Sequence, residues 1–376
     1  MLVTAGPQTE RDAAAVHFAS GVCARLWPGA ALARIEPLAG DASTRRYLRA
    51  WLAQPRPQGA PPTLIVMVMQ DAAVALSSEE LGVFGKDGPK EPAFANVARF
   101  LSRHTDALPA VHGISPDQSL IVLEDVGDTP LWEAAHASSP AAGEELFGLA
   151  LDLIADLQAR AIDDGSGCYG FVQSFDERLF AWEFDHFLQY GVAAADPQLI
   201  ARSRSELLAV ATRLAALPRV LAHRDYHAWN IHVQQVAARS GGGGSIRLRL
   251  IDFQDALQAP ALYDVASLLT DRTTPEFIDP EREERLLQRF YASQRAGRLE
   301  DFKETRAAYR LVALQRVLKV VGRFNYLADV KGKPAYLAML PAVCRTATRL
   351  LAESEGVDAT RRLFSVAARD GRQPQA

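Results

Sequence analysis

In the stretch LAHRDYHAWNIHV, residues 221–233, the eight residues from His223 to Asn230 set two histidines, an arginine, an aspartate and an asparagine inside an apolar run. Charge taken out of water without a partner is costly, so such groups pair with one another or carry out chemistry. Their order is informative. His223-Arg224-Asp225, with Asn230 five positions after the aspartate, has the spacing H-R-D-x-x-x-x-N of a phosphoryl-transfer loop. That reaction needs a carboxylate to orient a hydroxyl and accept its proton, together with hard oxygen ligands for Mg²⁺. Asp225 suits the first role and the amide oxygen of Asn230 the second.

A second metal carboxylate is expected behind a neighbouring strand. Asp252, in LRLIDFQDA, lies 27 positions after Asp225 and fills the place of the aspartate in D-F-G. Alone, Asp225 and Asn230 could equally cap turns. With Asp252 in place the metal and proton-transfer reading is the stronger. A zinc site built from His223, His227 and His232 competes, but the chain has no H-E-x-x-H pattern and no carboxylate placed as its general base. His223 therefore reads as a packed loop residue and His227 as a hydrogen-bonded support beside the site.

These residues need elements to hold them. A chain of 376 residues exceeds the size of one ordinary core and suits two unequal lobes. The segments RIEPLAG, RRYLRAWL, TLIVMVMQ and SLIVLEDVG read as strands, and PAFANVARFLSRH as a helix among them. Residues 1–126 are thus expected to form a small β-rich N-lobe with an N-terminal helix. AQPRPQGAPP is its hairpin loop. Residues 127–376 turn helical, with apolar residues three and four apart in AGEELFGLALDLIADLQARA and the segments that follow, and form a larger C-lobe. Within it RVLAHRDYHAWNIHVQQ and IRLRLIDFQDA read as short strands joined by the glycine-rich AARSGGGGS. The fold class is α+β.

With a net charge of −4, a pI near 6.1 and 48% hydrophobic residues, the chain offers no general attraction to nucleic acid or to an anionic membrane. A small-molecule partner and a monomer are expected. The three cysteines are far apart in sequence and read as reduced structural thiols. The N-terminus lacks an export signal, and the longest apolar run is too short to span a bilayer, so a cytoplasmic location is expected.

HRDYHAWNIHV…LRLIDFQDALQAPALYDVASLL resembles the aminoglycoside phosphotransferase family of small-molecule kinases. The resemblance implies a protein-kinase-like two-lobe fold with a five-stranded N-lobe, a helical C-lobe and ATP with Mg²⁺ as cofactors. It makes Asp264, in YDVASLL, a brace for the catalytic loop; read from the residues alone, Asp264 is an N-cap for the following helix. GDASTRRYLR, LEDVGD, FDERLFAWEF and LQRVLKVVGRF are further similar to the bacterial anomeric kinases of N-acetylmuramate and N-acetylglucosamine, which serve cell-wall sugar recycling.

By that resemblance the turn holding Gly40, Asp41 and Ser43 would cover the ATP phosphates with backbone amides. The backbone from Leu123 through Glu124 to Asp125 would meet the adenine. Glu183, assisted by Asp176, would hydrogen-bond sugar hydroxyls, although a helical carboxylate is ordinarily just solvated. The related kinases commonly carry an arginine before that glutamate, where this chain has Trp182.

One expected residue is missing. Kinase-like enzymes carry a lysine on the third strand that pairs with the ATP phosphates and with a glutamate on the next helix. Here the strand is TLIVMVMQ, with Met67 or Met69 at the matching position. Arg45, Arg46, Lys86 and Lys90 are the candidate substitutes, each also readable as a surface charge. An aminoglycoside or amino-alcohol kinase and a catalytically silent nucleotide-binding regulator stand as alternatives to the sugar kinase.

Overall fold

The computed structural model describes residues 7–38, 45–69, 91–193, 195–236 and 245–369. The chain opens with α1 (Pro7–Leu26), β1 (Leu32–Pro37), β2 (Arg45–Leu52), β3 (Thr63–Met69), α2 (Ala93–Leu101), β4 (Val111–Ile114) and β5 (Leu120–Glu124). The strands form one antiparallel sheet in the order β1-β2-β3-β5-β4.

The two faces of this sheet follow from strand alternation. Leu48, Ala50 and Leu52 of β2 join Leu64, Val66, Val68, Leu120 and Val122 in a core closed by Ala15, Ala19, Val22 and Cys23 of α1. Each large aliphatic side chain buried there contributes about 1.5–3 kcal/mol. The opposite face of β2 therefore carries Arg45, Tyr47, Arg49 and Trp51, which stand across from Met69, Met67, Ile65 and Thr63.

The proline-rich segment 53–62 joins β2 to β3 as a hairpin, as its composition suggests. Strand β4 has no clear signal in the sequence because VHGI is short and broken by Gly113. The glycine is needed by the neighbouring helix: a Cβ at residue 113 would lie 2.8 Å from Val22 Cγ2.

The chain continues through α3 (Leu131–His136), α4 (Pro140–Arg160), α5 (Glu177–Tyr190), α6 (Pro197–Ala215), β6 (Arg219–Ala222), β7 (Ile231–Val236), β8 (Ser245–Leu250) and β9 (Leu257–Pro260). It ends with α7 (Leu262–Leu269), α8 (Pro280–Ser293), α9 (Phe302–Asp329), α10 (Leu340–Glu353) and α11 (Asp358–Ala367). Strand β6 pairs antiparallel with β9, and β7 pairs with β8. The polar run 223–230 is a loop between β6 and β7 rather than strand, since its side chains need partners on several sides. No described helix is long and apolar enough to cross a membrane.

Two units result, residues 1–128 with 234–254 and residues 129–233 with 255–376. The expectation of a single crossing near residue 126 did not include the return of 234–254. Arg249 of β8 explains it. This guanidinium, on a side chain only 1% exposed, donates to the carbonyls of Ala107 and Leu108 and pairs with Glu124 at 2.7 Å. All three lie in the first unit, and a buried arginine left without them would be strongly destabilising.

In the second unit the crossing of α5 and α9 is close. A Cβ at Gly322 would lie 2.8 Å from Phe187 Cα and 3.1 Å from the His186 carbonyl oxygen, so only glycine lets α9 approach α5 at that point.

Candidate active site

The loop 223–230 is fixed from beneath by Asp264. Fully buried in α7, its carboxylate accepts the backbone N–H of His223 at 2.8 Å and that of Arg224 at 2.9 Å. The sequence also allowed an N-cap role, but Asp264 is the third residue of α7, and Ala261 stands at the cap position. Burial pushes the Asp264 carboxyl up to about 6 in spite of its two backbone donors.

Arg224 sits in the left-handed region at φ +77°, which costs about 1–3 kcal/mol for a residue with a Cβ. Its carbonyl accepts from Nη1 of Arg316 at 3.2 Å, so the same residue is held at both its N–H and its C=O. Arg316, in turn, lies over the Tyr263 ring at 4.5 Å.

The other side of the loop is held by its own groups. The Asp225 carbonyl accepts from the His227 N–H at 3.0 Å and from Asn230 Nδ2 at 2.9 Å. Asn230 Nδ2 also lies 3.3 Å from His227 Nε2. His223 is buried, edge-on to Tyr226.

The Asp225 side chain is half-buried among cations. Burial raises its pKa, but Arg224, Lys319, His227 and Arg316 outweigh that effect and hold the carboxyl below the usual carboxylate range. A carboxylate this acidic is a weak base. In a phosphoryl transfer such a group would act first by orienting a hydroxyl, accepting its proton only as the new P–O bond forms.

Glu183 in α5 is 1% exposed, and its carboxylate meets Lys319 Nζ at 2.7 Å and Gln315 Nε2 at 2.5 Å. Lys319 Nζ also lies 3.3 Å from the Tyr263 hydroxyl. Glu183 is therefore not the solvated helical carboxylate of the plainer reading. Asp176 is exposed and caps α5, accepting the Leu179 N–H at 2.8 Å.

The remaining candidates belong to the first unit. Asp252, which follows β8, is in the left-handed region at φ +62°, with Gln254 Nε2 at 2.8 Å and Arg45 Nη1 at 3.6 Å from its Oδ1. Phe253 is fully buried against Phe94 of α2, with ring centroids 4.8 Å apart. Leu123 is in the ladders to β3 and β4. Glu124 donates its N–H to Ala110, and its carboxylate is taken by Arg249 and the Ala110 N–H. Asp125 is held by Arg49 at 2.7 Å and accepts the Gly127 N–H. Arg46 pairs with Asp12 at 3.1 Å. Gly40, Asp41, Ser43, Lys86 and Lys90 lie outside the described residues.

Sequence reasoning missed Arg316 and Lys319. Their signal was present in LQRVLKVVGRF, where Gln315, Arg316, Lys319 and Arg323 interrupt an apolar run. Only the packing of α9 against α5 and α7 shows that they converge on Asp225 and Glu183. The left-handed backbone at Arg224 and Asp252 was equally invisible, because neither position is glycine.

A family model described as "Phosphotransferase enzyme family" (APH) matches residues 34–312. An N-acetylmuramate/N-acetylglucosamine kinase of Caulobacter vibrioides is 28% identical over 350 residues, covering 89% of this chain and 90% of that protein. A kinase of the same name from Pseudomonas aeruginosa is 28% identical over 332 residues, 85% of this chain and 84% of that protein. Among solved structures, the GDP complex of wild-type aminoglycoside 2'-phosphotransferase-IIIa superposes with a TM-score of 0.56 at 13% identity, covering 89% of this chain and 99% of that one. This last likeness shows the fold.

Proposed function

This chain belongs to the APH phosphotransferase family, and on that premise we propose that it transfers the γ-phosphoryl group of ATP to the anomeric hydroxyl of an amino sugar, N-acetylmuramate or N-acetylglucosamine. The observation that carries the reading is the extent of the match to two sugar kinases, about nine-tenths of both chains in one case, together with a braced loop that presents Asp225 and Asn230. Such sugars arise from cell-wall turnover, and their recycling in the cytoplasm is the proposed role.

Asp225 orients the anomeric oxygen and receives its proton. Lys319 and Gln315 fix Glu183, which faces the sugar hydroxyls with Asp176. Asn230 fits a magnesium site: its Nδ2 is committed to the Asp225 carbonyl, which leaves the amide oxygen as the ligand atom. Asp252 would supply the second oxygen donor. When bound there, the metal would neutralise charge on the transferred phosphoryl group. Adenine meets the backbone from Leu123 to Asp125. Since the Glu124 N–H is already donated to Ala110, base contacts fall to the other backbone groups of that segment. The turn at Gly40, Asp41 and Ser43 covers the phosphates.

An aminoglycoside or amino-alcohol acceptor fits less well. Arg224, Arg316 and Lys319 lie close enough to Asp225 to lower its pKa, and they would repel a cationic acceptor.

Phosphorus NMR of the protein with ATP, Mg²⁺ and either sugar tests the proposal, with Asp225→Asn as control and kanamycin and choline as competing acceptors. The expected result is an anomeric sugar phosphate that disappears in the control. Transfer only to kanamycin or choline would overturn the sugar reading, and ATP binding without transfer to any acceptor would favour the silent regulator.

A further inference from the structure

Both members of the usual strand-lysine and helix-glutamate pair are missing from the described sheet. Strand β3, TLIVMVM, carries no cation, and α2, AFANVARFL, carries no acid. Glu91, just before α2, is not a substitute, because Arg99 holds its carboxylate at 2.5 and 2.8 Å and Asn96 at 2.9 Å.

A cation nonetheless stands on the right face. Arg45 is directly across the ladder from Met69. Opposed residues in an antiparallel pair share a face, with Cβ atoms about 4.5–5.5 Å apart. Arg45 therefore projects from the face carrying Met67 and Met69, away from the α1 core. Its side chain is 9% exposed, and its Nη1 lies 3.6 Å from Oδ1 of Asp252. For so buried a guanidinium, an anion nearby is a requirement rather than an ornament.

We infer that Arg45 supplies from β2 the positive charge that related enzymes supply from β3, holding Asp252 in place and binding the nucleotide's phosphates. The inference rests on ATP being the phosphoryl donor. Its chemistry is specific to the charged end of the nucleotide: a guanidinium offers five donors in a planar fork suited to phosphate oxygens. The Asp252 carboxylate orients that fork. Gln254 Nε2, 2.8 Å from the same Oδ1, limits the freedom of Asp252 in turn. The family's pair is thus replaced by one formed between β2 and the segment after β8.

Calorimetric titration of the full chain with Mg·ATP and, separately, with adenosine tests this. Arg45→Met is expected to weaken Mg·ATP by tenfold or more, on the order of one lost charge-assisted contact, and to leave adenosine unchanged. Arg45→Lys, which keeps a charge, should fall between. In Arg45→Met/Met69→Lys a cation returns from the opposed strand position and should restore the preference for ATP over adenosine. If Arg45→Met does not fold, the lysine variant and the double variant decide.

Wild-type Mg·ATP affinity in Arg45→Met, or equal losses for Mg·ATP and adenosine, would overturn the assignment, the second because it marks a structural role. A wild-type protein that binds neither ligand would instead overturn the ATP reading itself.

Discussion

The carboxylate of Asp264 accepts the backbone N–H of Arg224 at 2.9 Å, and Arg224 is one of the few non-glycine residues described with a positive φ. The residue preceding the proposed base is thus kept in an unfavourable conformation by a side chain that takes no part in the reaction. The second carboxylate oxygen accepts the His223 N–H at 2.8 Å. Asp264→Asn retains one acceptor and turns an N–H toward a backbone N–H. The expected loss is about 1–3 kcal/mol of stability, with at least a tenfold fall in transfer rate. Urea unfolding and a coupled kinase assay would show it, and an Asn variant with the parental rate would remove the bracing role.

Asp264 also predicts a pH dependence. Its folded value of about 6 lies above the ordinary 3.8, so the folded state holds the proton more tightly than the unfolded chain. The contribution is full below the unfolded value and is lost as pH rises through about 6, on the order of 3 kcal/mol in all. Other carboxylates titrate in the same range, so the measurement is the stability difference from Asp264→Asn, which should shrink from about pH 4 to about pH 7.

Activity should move the other way. A protonated Asp264 loses one acceptor for the loop, which gives the acid limb of the rate profile a midpoint near 6. Asp225, held below the usual range by its cations, cannot set a limb there. A limb at the position of an ordinary aspartate would argue against this origin.

Lys319→Met leaves Glu183 charged and buried, with Gln315 as its hydrogen-bond partner. Breaking a buried pair from one side costs about 3–5 kcal/mol, less here because Lys319 is partly exposed. Glu183→Gln combined with Lys319→Met should recover most of that loss. The double-mutant cycle gives a coupling energy, and one near zero would show that the pair is not coupled.

Gly322→Ala tests the α5–α9 crossing. The added methyl meets backbone rather than a flexible side chain, so the helices must separate, at about 1–3 kcal/mol. Lys319 and Gln315 reach Glu183 across the same crossing, and the Michaelis constant for the acceptor should rise with it. Gly21→Ala in α1 is the control: nothing lies within 4 Å of its new Cβ, and the helix gains about 0.5–1 kcal/mol.

Much of this was legible in the sequence, unevenly. Strands β2 and β3 were readable to within a residue, because RRYLRAWL and TLIVMVM are apolar runs bounded by turn residues. The loop from His223 to Asn230 was legible because polar groups at fixed spacing stand out against an apolar background. Local patterns do not report partners distant in sequence. Nothing in the strand IRLRL sets Arg249 apart, yet its partner Glu124 is 125 residues away. Arg45 likewise read as one of two surface arginines, and only strand register separates it from Arg46, which pairs with Asp12 instead.

The passage of residues 234–254 into the first unit imposes an order on biosynthesis. Domains ordinarily fold as they leave the ribosome, N-terminal first. Here β1 to β5 emerge long before Arg249, and until it arrives Glu124 lacks its buried cation and the carbonyls of Ala107 and Leu108 lack their donor. A nascent chain halted within α6 would hold the five strands of the sheet without the arginine that pairs with Glu124. Premature termination products of this protein would be substrates for proteases and chaperones, and a dissected first unit would have to carry residues 234–254 grafted behind residue 128.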